Sequence, residues 1–121
     1  MSRDAAPALK NQTAVVTGAS SGIGAAVARA LAAAGASVAV NYRSSQEEAE
    51  GVVRDIRRSG GRANAVQADV SEEDQVLALF DATAQAFGRI DILVANSGIQ
   101  QDAPFAEMTL AQWQRVLDVN L

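Results

Sequence analysis

Short apolar runs alternate along this chain with longer segments in which apolar residues recur every three or four positions. The short runs predict strands at residues 13–17, 37–42, 62–68 and 90–95, and the periodic segments predict the helices between them. Strict alternation of this kind predicts an α/β fold, a Rossmann-type doubly wound parallel sheet with strand order 3-2-1-4. The run at 90–95 is apolar throughout, so we expect that strand to be buried on both faces.

The predicted helices each carry one apolar face. Helix 22–34 places Ile23, Val27, Ala30, Leu31 and Ala34 on that face and stops at Gly35. The next helix begins with capping-box spacing from Ser44 to Glu47 and turns Ala49, Val52, Val53 and Ile56 inward. The third is capped by Ser71, buries Val76, Leu79, Phe80, Thr83 and Phe87, and stops at Gly88.

The two ends of the sequence differ from the middle. Residues 1–8 are polar and contain Ala and Pro, which predicts a disordered leader before one domain at residues 9–121. A last helix is predicted from Thr109, carrying Trp113, Val116 and Leu117. No Gly, Pro or basic turn ends that helix before Leu121. We therefore expect the polypeptide to be incomplete.

A glycine-rich segment, TGASSGIG from Thr17 to Gly24, joins the first strand to the first helix. Glycine has no Cβ to hold a phosphate away from the backbone, and the N–H groups of a helix's first turn attract anions. The segment therefore predicts that a pyrophosphate is bound by Gly18, Ser20, Ser21, Gly22, Ile23 and Gly24. In the alternative interpretation the glycines only let strand and helix pack closely.

Composition removes several classes of function. The 121 residues contain no cysteine and no histidine, which excludes disulfides, thiol nucleophiles, histidine triads and histidine metal sites. A net charge of −4 argues against nucleic acid as a partner, and no apolar run is long enough to cross a membrane. We expect no metal and a cytoplasmic protein.

Four motifs together resemble the N-terminal half of the short-chain dehydrogenase/reductase family, from about Leu9 to Leu121. They are TGASSGIG after the first strand, Asp69-Val70 after the third, Ala95-Asn96-Ser97-Gly98 after the fourth, and Asn120 in the last helix. The sequences ANSGIQ and NYRSS are similar to the branch that holds glucose 1-dehydrogenases and acyl-carrier-protein reductases.

The resemblance implies a role for each matched position. Asp69 and Val70 would contact the adenine, and Asn96, Ser97 and Gly98 would line the cofactor site, with Ser97 where the family has alanine. Asn120 would belong to the catalytic group, holding a water that links the catalytic lysine to solvent. As alternatives, Asp69 is a surface loop residue and Asn120 faces solvent.

The end of the second strand bears on the choice of nicotinamide cofactor. A carboxylate there suits the free ribose of NAD, whereas Arg suits the 2′-phosphate of NADP. Tyr42 occupies the acid position and is followed by Arg43 and Ser44, so we expect NADP(H), with NAD(H) possible. In the alternative interpretation Arg43 is a solvated strand-end residue.

The family's catalytic pair, Y-x-x-x-K, is absent from this sequence. Its one tyrosine is Tyr42 and its one lysine is Lys10. We expect a reductase acting on a small carbonyl or alcohol substrate, homodimeric or homotetrameric when complete, whose 121 residues alone bind cofactor without turnover. The alternative is a non-catalytic dinucleotide-binding module. We also expect the isolated chain to expose strand 90–95 as an apolar edge.

Overall fold

The computed structural model describes residues 8–96, which form four strands and three helices in strict alternation. The elements are β1 (Thr13–Val16), α1 (Gly22–Ala33), β2 (Ser37–Tyr42), α2 (Gln46–Arg58), β3 (Arg62–Gln67), α3 (Glu73–Phe87) and β4 (Ile92–Val94). The sheet is parallel, in the order β3-β2-β1-β4, which confirms the predicted fold class. Most of the predicted leader, the last helix, Ser97, Gly98 and Asn120 lie outside the described residues.

The direction of the crossovers changes at β1. The chain runs from β1 outward to β2 and β3, then returns to place β4 on the other side of β1. In such sheets ligands bind beyond the carboxyl ends of the strands at this switch point. At the opposite end of the sheet, the N–H of Thr13 donates to Oδ2 of Asp91 at 2.8 Å, which fixes the start of β1 beside β4.

The core has two layers, one on each face of the sheet. One face packs against α1 and α2 and buries Val16, Val38, Val40, Val52 and Ile56. The other packs against α3 and buries Val15, Leu79, Phe80 and Ile90. Successive strand residues enter different layers, as the two-residue period of a strand requires.

The apolar face predicted for α1 is only partly correct: Val27 and Leu31 pack against the core, but Ile23 and Ala30 do not turn inward. The helix buries Gly24, Ala25 and Ala28, whereas Ile23 is 73% exposed and Ala30 is exposed. Small side chains let the helix approach the sheet, and contact of Gly24 with the preceding loop fixes the rotation of the helix. The close packing of the first turn at Gly24 therefore decides which face of α1 is buried, and it leaves the larger hydrophobic side chain of Ile23 exposed.

The predicted helix stops are confirmed and the predicted N-caps are wrong. Gly35 and Gly88 have φ of 107° and 92°, the left-handed conformation that ends helices. The residues at the N-caps of α2 and α3 are Ser45 and Glu72, and neither makes a side-chain cap bond. The capping box of Ser44 does not form, although α2 buries the predicted face, Ala49, Val52, Val53 and Ile56. Ser71 bonds to Asp69 instead.

The outer strands are shorter than predicted. β3 ends at Gln67, and β4 covers only Ile92–Val94. The side chains of β4 are half-buried rather than buried on both faces, because β4 pairs with β1 alone within the described part of the chain. Within residues 8–96, no helix has the length and apolar character that crossing a membrane requires.

Candidate functional site

The glycine-rich loop leaves β1 at Thr17 and enters α1 at Gly22, at the switch point of the sheet. Gly18 and Gly22 have φ of 60° and 59°, a conformation that favours glycine. Gly24 is helical, but a Cβ there would lie 2.3 Å from the Gly18 carbonyl oxygen and 2.7 Å from Nδ2 of Asn96. Two glycines thus shape the turn, and the third allows the helix to start against it.

The first turn of α1 offers backbone donors to an anion. The N–H groups of Gly22, Ile23 and Gly24 lie in the first turn of α1, where a helix has no carbonyl of its own to accept their hydrogen bonds. No acidic residue lies in this turn, and a Cβ at Gly22 would meet no atom of the described residues within 4 Å. The space beside Gly22, at the positive end of a helix dipole, is therefore open on its side-chain side.

Gly18 itself is held from both sides by asparagine side chains. Its N–H donates to Oδ1 of Asn41 at 3.2 Å, and its carbonyl accepts from Nδ2 of Asn96 at 3.0 Å. The Gly18 N–H is therefore already used within the protein. Of the three glycines, Gly22 and Gly24 are the ones that present first-turn donors.

Asn41 is the residue at this site that the sequence patterns did not single out. It is 1% exposed, and its Nδ2 donates to the carbonyls of Val66 and Ala68, both at 3.2 Å, and of Tyr42 at 3.4 Å. The sequence feature that could have indicated Asn41 is its amide near the end of the apolar strand SVAVNY, because a buried amide needs hydrogen-bond partners.

Asn96 ties the end of β4 to the loop. Its N–H donates to Oγ1 of Thr17 at 2.9 Å, while the Thr17 N–H donates to the Val94 carbonyl at 3.0 Å. With the bond to Gly18, these contacts place Asn96 beside the glycine loop. Its sequence neighbours Ser97 and Gly98 lie beyond the described range.

Asp69 follows β3 with its carboxylate held in one orientation. Oδ1 accepts from the N–H and the Oγ of Ser71, at 3.0 and 2.7 Å. These bonds, with a smaller contribution from the Arg43 guanidinium, hold the pKa of Asp69 below its ordinary value despite an opposing effect of burial. The Asp69 N–H donates to Oε1 of Gln75 at 2.7 Å, a contact that the sequence patterns did not indicate.

Arg43 lies beside Asp69, so two predicted site residues meet at adjacent strand ends. Nε of Arg43 is 3.8 Å from Oδ2 of Asp69, and the Arg43 side chain is 79% exposed. Tyr42 is half-buried and Ser44 is exposed next to it. Val70, by contrast, is 8% exposed and packs in the α3 layer of the core.

A surface cleft of about 440 Å³ opens beside the loop, between α1 and α2. Ser20, Ser21 and Gly22 line one side, and charged residues of α2 of both signs line the other, among them Glu48, Arg54, Asp55 and Arg58. Ser20 is half-buried and Ser21 is exposed. Among residues 8–96, no cluster of three acidic, histidine or cysteine side chains converges in a way that would hold a metal ion.

The geometry has clear counterparts among known proteins. The family model described as "short chain dehydrogenase" matches residues 12–121. The chain is 52% identical over 93% of its length to 3beta-hydroxysteroid dehydrogenase 1 of Eggerthella lenta, covering 43% of that protein. It is 51% identical over 94% of its length to a 3-oxoacyl-[acyl-carrier-protein] reductase of Synechocystis, covering 46%.

A solved structure extends the likeness to the fold. A short chain dehydrogenase from Burkholderia cenocepacia, crystallised in complex with NADP, superimposes with a TM-score of 0.73 at 45% identity. The match covers 93% of this chain and 46% of that one. The 121 residues thus span less than half the length of each of these relatives.

Proposed function

Because the chain belongs to the short-chain dehydrogenase family, we propose that it forms the dinucleotide-binding part of an NAD(P)-dependent oxidoreductase. The complete protein would transfer hydride between the nicotinamide and a small carbonyl or alcohol substrate. The observation that carries this proposal is the glycine loop, where Gly24 packs the first turn of α1 against Gly18 and, among the described residues, no atom lies near the side-chain position of Gly22.

The residues present fit a dinucleotide diphosphate. A Cβ at Gly24 would fill the contact that closes the loop, and among residues 8–96 no atom lies within 4 Å of the Cβ position at Gly22. The N–H groups of Gly22, Ile23 and Gly24 would hold the diphosphate at the helix N-terminus, and Ser20 and Ser21 precede them in the same loop. The exposed Ile23 side chain supplies an apolar surface at that point.

Asp69 is suited to the adenine amino group. Ser71 occupies Oδ1, which leaves Oδ2 directed toward Arg43 and available to accept a further hydrogen bond. The lowered pKa keeps the carboxylate ionised near neutral pH, so Oδ2 acts only as an acceptor. Asn96 holds the loop from the β4 side, so its contribution in this proposal is support of the cofactor site.

Arg43 supports NADP(H) as the preferred cofactor, with NAD(H) also accepted. The exposed guanidinium at the end of β2 can turn from Asp69 to a 2′-phosphate, because an exposed pair at 3.8 Å is worth no more than about 1 kcal/mol. Ser44 adds a hydroxyl beside it. The relative solved with NADP is consistent with this preference.

Hydride transfer itself needs residues outside these 121. The single tyrosine, Tyr42, is half-buried at the end of β2, and no lysine follows Lys10. We therefore propose that the 121-residue chain binds cofactor and does not turn over substrate.

By resemblance Asn120 would join the catalytic group. The same lack of a Tyr-Lys pair favours the second candidate, a non-catalytic dinucleotide-binding module.

Fluorescence titration of the chain with NADPH and NADH tests the cofactor proposal. We expect both to bind, NADPH more tightly, and Arg43→Ala to reduce the preference for NADPH by about tenfold through loss of a charge-assisted contact. Arg89→Ala is the matched control, because Arg89 is also an exposed arginine but lies at the opposite end of the sheet beside Asp91. Equal affinity for both dinucleotides, unchanged in Arg43→Ala, would refute the role of Arg43.

An activity assay separates the two candidate functions. NADPH oxidation with carbonyl substrates should be undetectable for the 121-residue chain and measurable for a longer protein from the same gene that adds Y-x-x-x-K. A longer protein that binds NADPH but transfers no hydride would favour the module.

A further inference from the structure

We propose that Asn41 is a positioning residue. It holds the glycine loop and residues 66–69, the segment that leads to Asp69, in the geometry that binds a dinucleotide. The proposal rests on the function proposed above. Its basis is that a single buried side chain contacts both segments. Oδ1 accepts from the Gly18 N–H, and Nδ2 donates to the carbonyl of Ala68, the residue just before Asp69.

The chemistry of these contacts requires an amide. The Gly18 N–H needs an acceptor, whereas the carbonyls of Val66 and Ala68 need donors. Among side chains of this size only asparagine offers both. Aspartate would turn a carboxylate oxygen toward the two carbonyls, and leucine would leave all three backbone groups without this partner.

Asn41 also acts through its backbone. Its carbonyl accepts from the Ala19 N–H at 2.8 Å, so main chain and side chain together fix two successive residues of the loop. Gly18 at φ 60° begins the turn, and its carbonyl faces the helix start at Gly24. A shift of Gly18 would therefore move the first-turn donors of α1.

The affinity for NADPH and NADH should respond equally to this position. Both molecules carry the same diphosphate and adenine, and Asn41 supports the segments proposed to contact those two groups. Loss of Asn41 therefore lowers both affinities and leaves their ratio unchanged. Arg43→Ala, in contrast, changes the ratio. The two readouts distinguish a residue that positions the shared site from one that recognises the 2′-phosphate.

The experiment compares Asn41→Leu and Asn41→Asp with Thr83→Val in the full chain. Thr83 is also 1% exposed and donates to a backbone carbonyl, that of Leu79 at 2.8 Å, but it lies in α3 away from the loop. We expect Asn41→Leu to weaken both dinucleotides about tenfold. Asn41→Asp should weaken them further, because it adds a negative charge beneath an anion site. Thr83→Val should stay within about twofold.

Several results would overturn the proposal. One is unchanged affinity in folded Asn41→Leu, and another is an equal loss in Thr83→Val, which would indicate general destabilisation. If the substituted chains do not fold, amide hydrogen exchange at Gly18 in the unsubstituted chain decides, since fast exchange contradicts the bond to Asn41. An unsubstituted chain that binds neither dinucleotide refutes the proposed function, a result distinct from loss of the Asn41 effect alone.

Discussion

Gly24 and Gly51 are both helical glycines, but only one has protein atoms where a side chain would go. At Gly24 a Cβ would meet a backbone oxygen at 2.3 Å, whereas at Gly51 the nearest atom is the flexible Arg54 Nη2 at 3.7 Å. Gly24→Ala should cost about 1–3 kcal/mol of stability, as overpacking does. It should also weaken NADPH binding, because the loop must move to relieve the contact.

The matched substitution Gly51→Ala should stabilise the chain by about 0.5–1 kcal/mol, because alanine is the better helix former. Its NADPH affinity should not change. Denaturant unfolding and NADPH titration of both variants provide the measurements. A Gly24→Ala variant that binds like the unsubstituted chain would show that the loop does not need this close contact.

Ser71 controls the ionisation of Asp69, because its two hydrogen bonds are the largest cause of the lowered pKa. Folding lowers this pKa, so the ionised carboxylate stabilises the fold above the unfolded value of about 3.9. That contribution disappears as pH falls through the lower folded value. Ser71→Ala should raise the Asp69 pKa and reduce stability at neutral pH, and the difference from the unsubstituted chain should vanish as pH falls through the folded pKa. NMR titration of the carboxyl carbon measures the shift, with exposed Ser59→Ala as the control.

At the scale of an element, α1 buries a face that includes Ala28 and only partly overlaps the face its sequence predicts, since Val27 and Leu31 also pack against the core. Ala28 is fully buried and Ala30 is exposed on the same helix. Ala28→Leu should therefore destabilise the chain by about 1–3 kcal/mol through overpacking. Ala30→Leu should change the free energy of unfolding by less than about 0.5 kcal/mol. Denaturant unfolding of the pair distinguishes the two faces, and the reverse order would restore the predicted one.

Periodicity predicted helix faces well where apolar residues stand out against charged ones. α2 buries four apolar residues on one stripe among charged ones, and the pattern identified all four. α1 is rich in alanine all round, so hydrophobicity hardly distinguishes its sides. There the contact of Gly24 with the Gly18 carbonyl decides the rotation, and no sequence period reports that contact. The N-cap predicted at Ser71 does not form because the Ser71 hydroxyl donates to the nearby Asp69 carboxylate instead.

At the scale of the whole molecule, the sequence indicated candidate site residues in local motifs and gave no sign of the contacts that connect distant segments. Gly22 and Asp69 stand in motifs at strand ends, where parallel sheets bind ligands. Asn41 bonds to Gly18, 23 residues away, and to Ala68, 27 residues away. Those contacts depend on how β1, β2 and β3 align in the sheet, which side-chain patterns do not specify.

The edge of the sheet at β4 should make the 121-residue chain associate. Ile92–Val94 is half-exposed and, within the described residues, pairs only with β1, so its outer backbone groups can accept another strand. We expect the sedimentation coefficient to rise with chain concentration, beginning at concentrations on the order of 10 µM. Ile92→Lys should reduce association by placing a charge on the edge strand, whereas Leu77→Lys, at an exposed apolar residue of α3, should not. A sharp, reversible thermal transition of a monomeric chain would contradict this expectation.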